Sequence, residues 1–402
     1  MSSSNAAIRS PSPFRLGIET LLSEHADWLE DRRIGLVSHR AAIDRFGITS
    51  AERLWRDPRV CLAALFGPEH GFAGGAGAGE LTHDDQHPEW SIPIFSLYGE
   101  SKKPTVAMLD RVDVLIVELQ DLGARPYTYV STLRLILEAA AQTRKTVIVA
   151  DRPVPLPGAA DGPMMDPAFE SFVGFIPAPM QYGMTPAETA SWLTITLGLS
   201  LDLRFAPMRH YFREPKRQTA WPAWVPPSPR IRSWEAACLF TATVCGEALP
   251  AVDYGSGTDL SFQVMGAPWL DAARLIDQLN AEGLPGVIFE PVHYHSCSGL
   301  YSGTDLDGMR IVVSDYASFR PVTTSILILD GIQSLYGRER LWSAPGTRPE
   351  WLDRLFGTDR VRRDLIAGRG WRQITGPWSA ENAAFDRSRA SCLLYQQERS
   401  SL

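Results

Sequence analysis

Residues Asp113 to Leu133 read DVLIVELQDLGARPYTYVSTL, and the organisation of the chain follows from them. Val114 to Val117 is too short an apolar run for a helix and is rich in β-branched residues, the pattern of a buried strand ending near Leu119. Asp121, Gly123, Arg125, Tyr127 and Tyr129 then crowd into a short connection. Ser131 or Thr132 is placed to cap an apolar helix through Leu133, Leu135, Ile136 and Leu137. A strand, a polar loop and a helix in that order predict an α/β unit, and ligands of open α/β sheets bind where strands end.

The same unit recurs on both sides of this stretch. Gly17 to Leu29 is expected to be helical, and Arg33 to Ser38 (RIGLVS) to be the first strand. Cys61 to Phe66 (CLAALF) is a strand stopped by Gly67-Pro68, with Cys61 in the core. Gly71 to Glu80 is glycine-rich without GxxxxGK spacing, and reads as a mobile loop over a cleft rather than a phosphate cradle. Ile92 to Tyr98 is extended, Lys103-Pro104-Thr105 opens a short helix, and Thr146 to Ala150 (TVIVA) is another buried strand. Right-handed parallel crossovers would bring Glu69, Asp121 and Asp151, each just past such a run, to one edge of one sheet.

Thr185 caps a helix to Leu199, with Glu188 at the capping-box position, a role that by itself accounts for Glu188. Leu201 to Ala206 is a further strand, and the proline-rich stretch from Ala220 to Pro229 marks a boundary. Strands around Leu260 to Val264 and Gly286 to Glu290, helices Ala272 to Ala281 and Val322 to Tyr336, and a helical last fifty residues complete a second unit. The expected organisation is a flexible tail over 1–14, a parallel-sheet α/β domain over 15–232 and a second α/β domain over 233–402.

With 402 residues, 45% hydrophobic, the chain is long enough for two cores. The formal charge of −7, with both signs interspersed, offers no basic stripe to nucleic acid. No apolar run approaches the roughly 18 residues of a membrane span, and the first residues lack a signal-peptide core, so a cytoplasmic location is expected. Cys61, Cys238, Cys245, Cys297 and Cys392 form no CxxC pair and read as reduced thiols.

Several groups carry chemistry. Glu69 and His70 sit in GPEHG, between a proline and a glycine that project side chains, as a catalytic carboxylate or as a turn whose acid satisfies loop amides. Asp121 with Arg125 is a loop salt bridge or, with the hydroxyls of Tyr127 and Tyr129, part of a site for a polyhydroxylated ring bearing one anionic substituent. Asp151 and Arg152 admit the same two readings. His83 and His87 have the spacing of paired metal ligands without an HExxH glutamate, and His293 and His295 share a strand face without a further ligand, so no metal site is expected.

LFGPEHGF (Leu65 to Phe72), SLYGESKKPT (Ser96 to Thr105), ELQDLGARPYTYVSTL (Glu118 to Leu133), ADRPVPLPG (Ala150 to Gly158) and GMTPAETA (Gly183 to Ala190) together resemble the exo-β-N-acetylmuramidase family, known as NamZ and formerly a domain of unknown function. WVPPSP (Trp224 to Pro229) and GTDLSFQVMGAPW (Gly257 to Trp269) extend the resemblance into the second half. It implies a Rossmann-like domain and a smaller α/β domain with an active-site cleft between them. It also implies removal of terminal β-linked N-acetylmuramic acid from the non-reducing end of peptidoglycan fragments, without metal or nucleotide cofactor. The lactyl carboxylate of that sugar would pair with Arg125 or Arg152. Three stretches depart from the family's pattern. Tyr182 stands in place of the histidine of HGMT, Val154 in place of the asparagine of DRPNP, and DYGSGT (Asp253 to Thr258) in place of an SEGRGT-like run.

The expected activity is therefore that of a glycoside hydrolase acting on a muropeptide-like amino sugar. One carboxyl protonates the departing oxygen and a second acts as base or nucleophile. Glu69 is the first catalytic candidate and Asp121 its partner, with His70 and Tyr127 tuning protonation and Arg125, Tyr129, Asp151, Arg152 and Glu188 holding the sugar. The alternative is a catalytically silent sugar-binding or regulatory protein on the same fold.

Overall fold

The computed structural model describes residues 14–158, 160–213 and 221–395. The first half contains α1 (Gly17–Glu24), β1 (Arg33–Val37), α2 (Ser50–Arg56), β2 (Cys61–Gly67), β3 (Asp85–Gln86), β4 (Pro93–Ser96), α3 (Val106–Leu109), β5 (Val114–Val117), α4 (Tyr129–Thr143), β6 (Thr146–Ala150), β7 (Asp161–Met164), β8 (Pro179–Gln181), α5 (Pro186–Thr196) and β9 (Leu203–Ala206). Seven of these strands form one sheet in the order β3-β4-β2-β1-β5-β6-β9, parallel except for the two-residue edge strand β3. Every residue of β5 and β6 is buried, as a strand covered by helices on both faces requires.

The chain enters this sheet at β1, builds outward through β2 and β4, and then returns to lay β5 on the other side of β1. The switch in direction opens a crevice beyond the carboxyl ends of β1, β2 and β5. Loops after β1 and β5 are tied there by the Gln120 amide, which donates to His39 Nε2 at 3.0 Å. Burial holds the His39 imidazole well below its ordinary pKa, in keeping with its acceptor role.

The second half contains α6 (Trp234–Thr243), a 3₁₀ turn Val244–Glu247, β10 (Val264–Gly266), α7 (Ala272–Ala281), β11 (Val287–His295), β12 (Asp305–Val313), α8 (Pro321–Tyr336), and then the helices α9 (Glu339–Trp342), α10 (Pro349–Phe356), α11 (Arg360–Ile366), α12 (Trp371–Thr375) and α13 (Trp378–Arg389). Its antiparallel sheet runs β10-β12-β11. Along β11 the burial of Val287 and Phe289 against exposed Ile288 and Glu290 is the alternation of a sheet with one wet face.

Four local expectations change. Phe14, expected in a flexible tail, is buried beside Trp221 at a ring separation of 6.1 Å; residues 1–13 lie outside the described residues. Cys61 is exposed, because it is the outermost residue of β2. The strand expected from Leu260 begins only at Val264, since Phe262 takes a left-handed φ of 64° and the Ser261 hydroxyl bonds the carbonyls of Gly255 and Thr258. Finally, α4 starts at Tyr129, ahead of Ser131 and Thr132. Thr128 occupies its N-cap position, yet the Thr128 side chain does not cap the helix.

Candidate active site

The missing cap is explained by where the Thr128 hydroxyl goes: it donates to Glu69 Oε2 at 2.5 Å. A threonine N-cap is ordinarily worth about 1 kcal/mol, and here that bond is given to a carboxylate instead. The amide of Gly79, in the glycine-rich loop, donates to the other oxygen, Glu69 Oε1, at 2.8 Å. Glu69 is thus held by donors from two loops. An ionised carboxylate, which only accepts, suits that arrangement.

The turn that presents Glu69 is strained. His70 has φ 74°, uncommon for a residue with a β-carbon, and its Nδ1 bonds the Ala76 carbonyl at 3.0 Å. Glu69 and His70 line a cavity of about 800 Å³. One side is built by Gly77 to Gly79, Tyr98 and Pro126 to Thr128 at the sheet edge. The other is built by the 3₁₀ turn after α6, Asp253 to Ser256, Ser298 to Tyr301, and Arg348 and Trp351 of the α10 region.

Tyr127 lines this cavity, and among the described residues its buried hydroxyl has no hydrogen-bond partner. Burial keeps the phenol well above its ordinary pKa, and the ring packs against Tyr129 at a centroid separation of 4.7 Å. Tyr98 is pushed up to about 12 by burial and then by the nearby Glu69 carboxylate.

The other expected residues are placed elsewhere. Asp121 is buried, and its Oδ1 accepts from the Gly123 amide at 2.7 Å and the Tyr182 hydroxyl at 3.0 Å. Burial raises its pKa to about 6, against the pull of those donors. Gly123 must be glycine: φ is +67°, and a β-carbon would come within 3.2 Å of the Gly183 backbone.

Arg125, fully buried, donates to the carbonyls of Pro163, Ala178 and Phe356, which fastens the β7–β8 region to α10. Arg152 pairs with buried Glu118 at 2.8 Å and donates to Gln120 and to the carbonyls of Ala41 and Ile43. With their donors turned inward, neither guanidinium is free to meet a sugar carboxylate. Tyr129 donates to the Pro227 carbonyl at 2.7 Å. Asp151 accepts from Thr185 Oγ1, the Ala187 amide and Tyr395 Oη, anchoring the start of α5. Glu188 closes the capping box with Thr185 and pairs with Arg213.

Among the described residues, the arginines that line the cavity are Arg230 and Arg348. Arg230 Nη1 donates to Tyr254 Oη at 3.0 Å and lies 3.8 Å from Glu247. Glu247, Arg230 and Arg348 were not singled out from the sequence. Glu247 lies in an apolar stretch, VCGEALP, without motif spacing, and Arg230 follows the SP of WVPPSP as an ordinary polar residue. Of the departures from the family's pattern, Tyr254 and Ser256 line the cavity, whereas Tyr182 is buried against Asp121. His293 and His295 are exposed and pair with Asp307 and Asp305 across the β11–β12 hairpin, and His87 stacks on Trp90.

Comparison with known proteins accords with this architecture. The family described as exo-beta-N-acetylmuramidase NamZ, N-terminal, matches residues 34–235, and its C-terminal counterpart matches 238–395. The chain is 32% identical over 394 residues to the peptidoglycan beta-N-acetylmuramidase NamZ of Bacillus subtilis strain 168, covering 98% of this chain and 94% of that protein. A crystal structure of a DUF1343 family protein from Bacteroides fragilis superposes with a TM-score of 0.88 at 30% identity, covering 95% of this chain and 99% of that one. A second from the same organism shares the fold at TM-score 0.73 and 24% identity, with coverage of 96% and 100%.

Proposed function

The chain belongs to the exo-β-N-acetylmuramidase NamZ family, and we propose that it is a glycosidase releasing terminal N-acetylmuramic acid from the non-reducing end of peptidoglycan fragments. The observation that carries this reading is Glu69. It is a carboxylate fixed by Thr128 and Gly79 in a cavity of about 800 Å³, a size suited to one or two sugar rings.

In the proposed site Glu69 acts at the anomeric carbon, as base or nucleophile, and His70 and Tyr127 face the same reacting region. Arg230 and Arg348 take the place expected of Arg125 and Arg152 and face the lactyl carboxylate, which a guanidinium binds through charge-assisted hydrogen bonds. Asp151, Arg152, Arg125 and Glu188 serve the framework.

The division at 232/233 is retained as a proposal, since the cavity draws residues from both sides of it. A cytoplasmic site of action is likewise proposed, to be checked by fractionation; among the described residues no helix is long and apolar enough to cross a membrane.

The test is turnover of an aryl N-acetyl-β-muramide and of a β-linked muramic-acid-terminated disaccharide, beside the matching N-acetylglucosaminides. Release of muramic acid with little glucosaminidase activity supports the reading. Binding of the sugar with no turnover would favour the silent sugar-binding alternative.

A further inference from the structure

The glycosidase reading leaves one role open, because hydrolysis of a glycoside by this chemistry needs two carboxyl groups beside the scissile bond. Asp121 does not line the cavity. Among the described residues, the carboxyl-bearing ones that do are Glu69, Glu247 and Asp253. Asp253 is consumed by its own loop and by the end of β11. Its Oδ1 accepts from the Gly255 amide at 2.7 Å and Tyr294 Oη at 2.9 Å, and its Oδ2 from Ser296 Oγ at 2.7 Å.

Glu247 is held differently. It ends the 3₁₀ turn after α6, and Arg348 fixes its backbone by donating to its carbonyl. The side chain retains 22% exposure, pairs loosely with Arg230 at 3.8 Å and lies beside the Trp351 indole. The backbone is thus anchored, the residue lines the cavity that Glu69 also lines, and its carboxyl feels the Glu69 charge.

Resting on the glycosidase reading, we propose that Glu247 is the proton donor to the departing glycosidic oxygen, with Glu69 as its ionised partner. The C1–O bond breaks with its electron pair on the aglycone oxygen, which takes the Glu247 proton. A water oxygen forms the new bond to C1, and the proton it sheds replaces the one given up by Glu247, directly or through Glu69.

The surroundings favour a protonated Glu247 before the reaction. Burial raises its pKa and the Glu69 charge adds to the rise, while Arg230, the Trp351 indole and Arg348 oppose it. Tyr254 faces the same group, and its phenol is itself raised by burial and by Glu247. A donor of this kind works below its pKa, so kcat/KM falls as pH rises through that value.

The experiment compares Glu247→Gln with wild type on the disaccharide and on a nitrophenyl N-acetylmuramide, whose leaving group needs little protonation. A melting curve checks folding, and Glu247→Asp serves as a second variant. The expected result for Glu247→Gln is a loss of about 10²- to 10⁴-fold on the disaccharide, a much smaller loss on the nitrophenyl substrate, and disappearance of the alkaline limb of the pH profile. Glu247→Asp should keep an alkaline limb at reduced rate. Equal losses on both substrates with the wild-type pH profile retained would overturn the assignment. If wild type were inert to muramides but cleaved another aryl hexosaminide, the substrate reading would fail and the same comparison would decide Glu247 on that sugar. A wild type inert to every glycoside would overturn both.

Discussion

Replacing Asp121 by asparagine separates a framework role from a catalytic one. In the folded protein this carboxyl rises from its ordinary 3.8 to about 6, chiefly through burial. At about 1.4 kcal/mol for each tenfold change in a proton equilibrium, the difference is about 3 kcal/mol. The sign follows from the direction of the shift. The folded state holds the proton more tightly than the unfolded chain, so the stabilising contribution is complete below pH 3.8 and is lost as pH rises through 6. Both donors to Asp121, Gly123 N and Tyr182 Oη, converge on Oδ1. An asparagine keeps that acceptor and removes only the ionisable site. Asp121→Asn is therefore expected to abolish its share of the stability loss between about pH 4 and 6, and to be more stable than wild type at pH 7 by up to about 3 kcal/mol. Urea unfolding at half-unit pH intervals measures this, and turnover of the muramide at pH 7 should change less than tenfold, on the order expected of a group outside the cavity. A drop of a hundredfold or more in a folded variant would refute the placement of Asp121 outside the chemistry. An unchanged pH slope would refute the cause assigned to its raised pKa.

Glu69→Gln is expected to lower kcat by about 10²- to 10⁴-fold while costing about 1 kcal/mol of stability or less, since the amide oxygen still accepts from Gly79 or Thr128; full activity in the folded variant would remove Glu69 from the mechanism. Arg152→Met leaves the Glu118 charge buried without its partner and should cost about 3–5 kcal/mol in denaturant unfolding, much of it restored by the double variant with Glu118→Gln. A change confined to KM, with stability intact, would instead return Arg152 to the substrate. Arg230→Ala should raise KM for the muramide about 10-fold or more beyond any change in KM for the glucosaminide, as loss of one charge-assisted contact predicts, while a change in kcat common to both sugars reports the lost pairing with Glu247; equal KM effects on both sugars would exclude a carboxylate contact.

The strands were legible in VLIV, TVIVA and CLAALF because burial on both faces of a parallel sheet demands short apolar β-branched runs, a requirement met within a few residues. The α5 capping box was legible for the same reason, since Thr185 and Glu188 satisfy backbone groups three residues apart. The strand-end rule also placed Glu69 near a cavity before any contact was known. What a charged side chain does at such an edge is a different matter. Arg125 meets the carbonyl of Phe356, Asp151 the hydroxyl of Tyr395, and Glu188 the guanidinium of Arg213, partners that local spacing cannot disclose. The same long-range assembly brings Glu247, in a stretch with no motif, into the cavity that holds Glu69. Sequence alone determined the sheet and set Glu69 at its edge, because periodicity and capping are local. Tertiary structure decided which polar groups at that edge are spent on the framework and which are left to face a substrate, because a buried charge is satisfied by whatever the fold delivers to it.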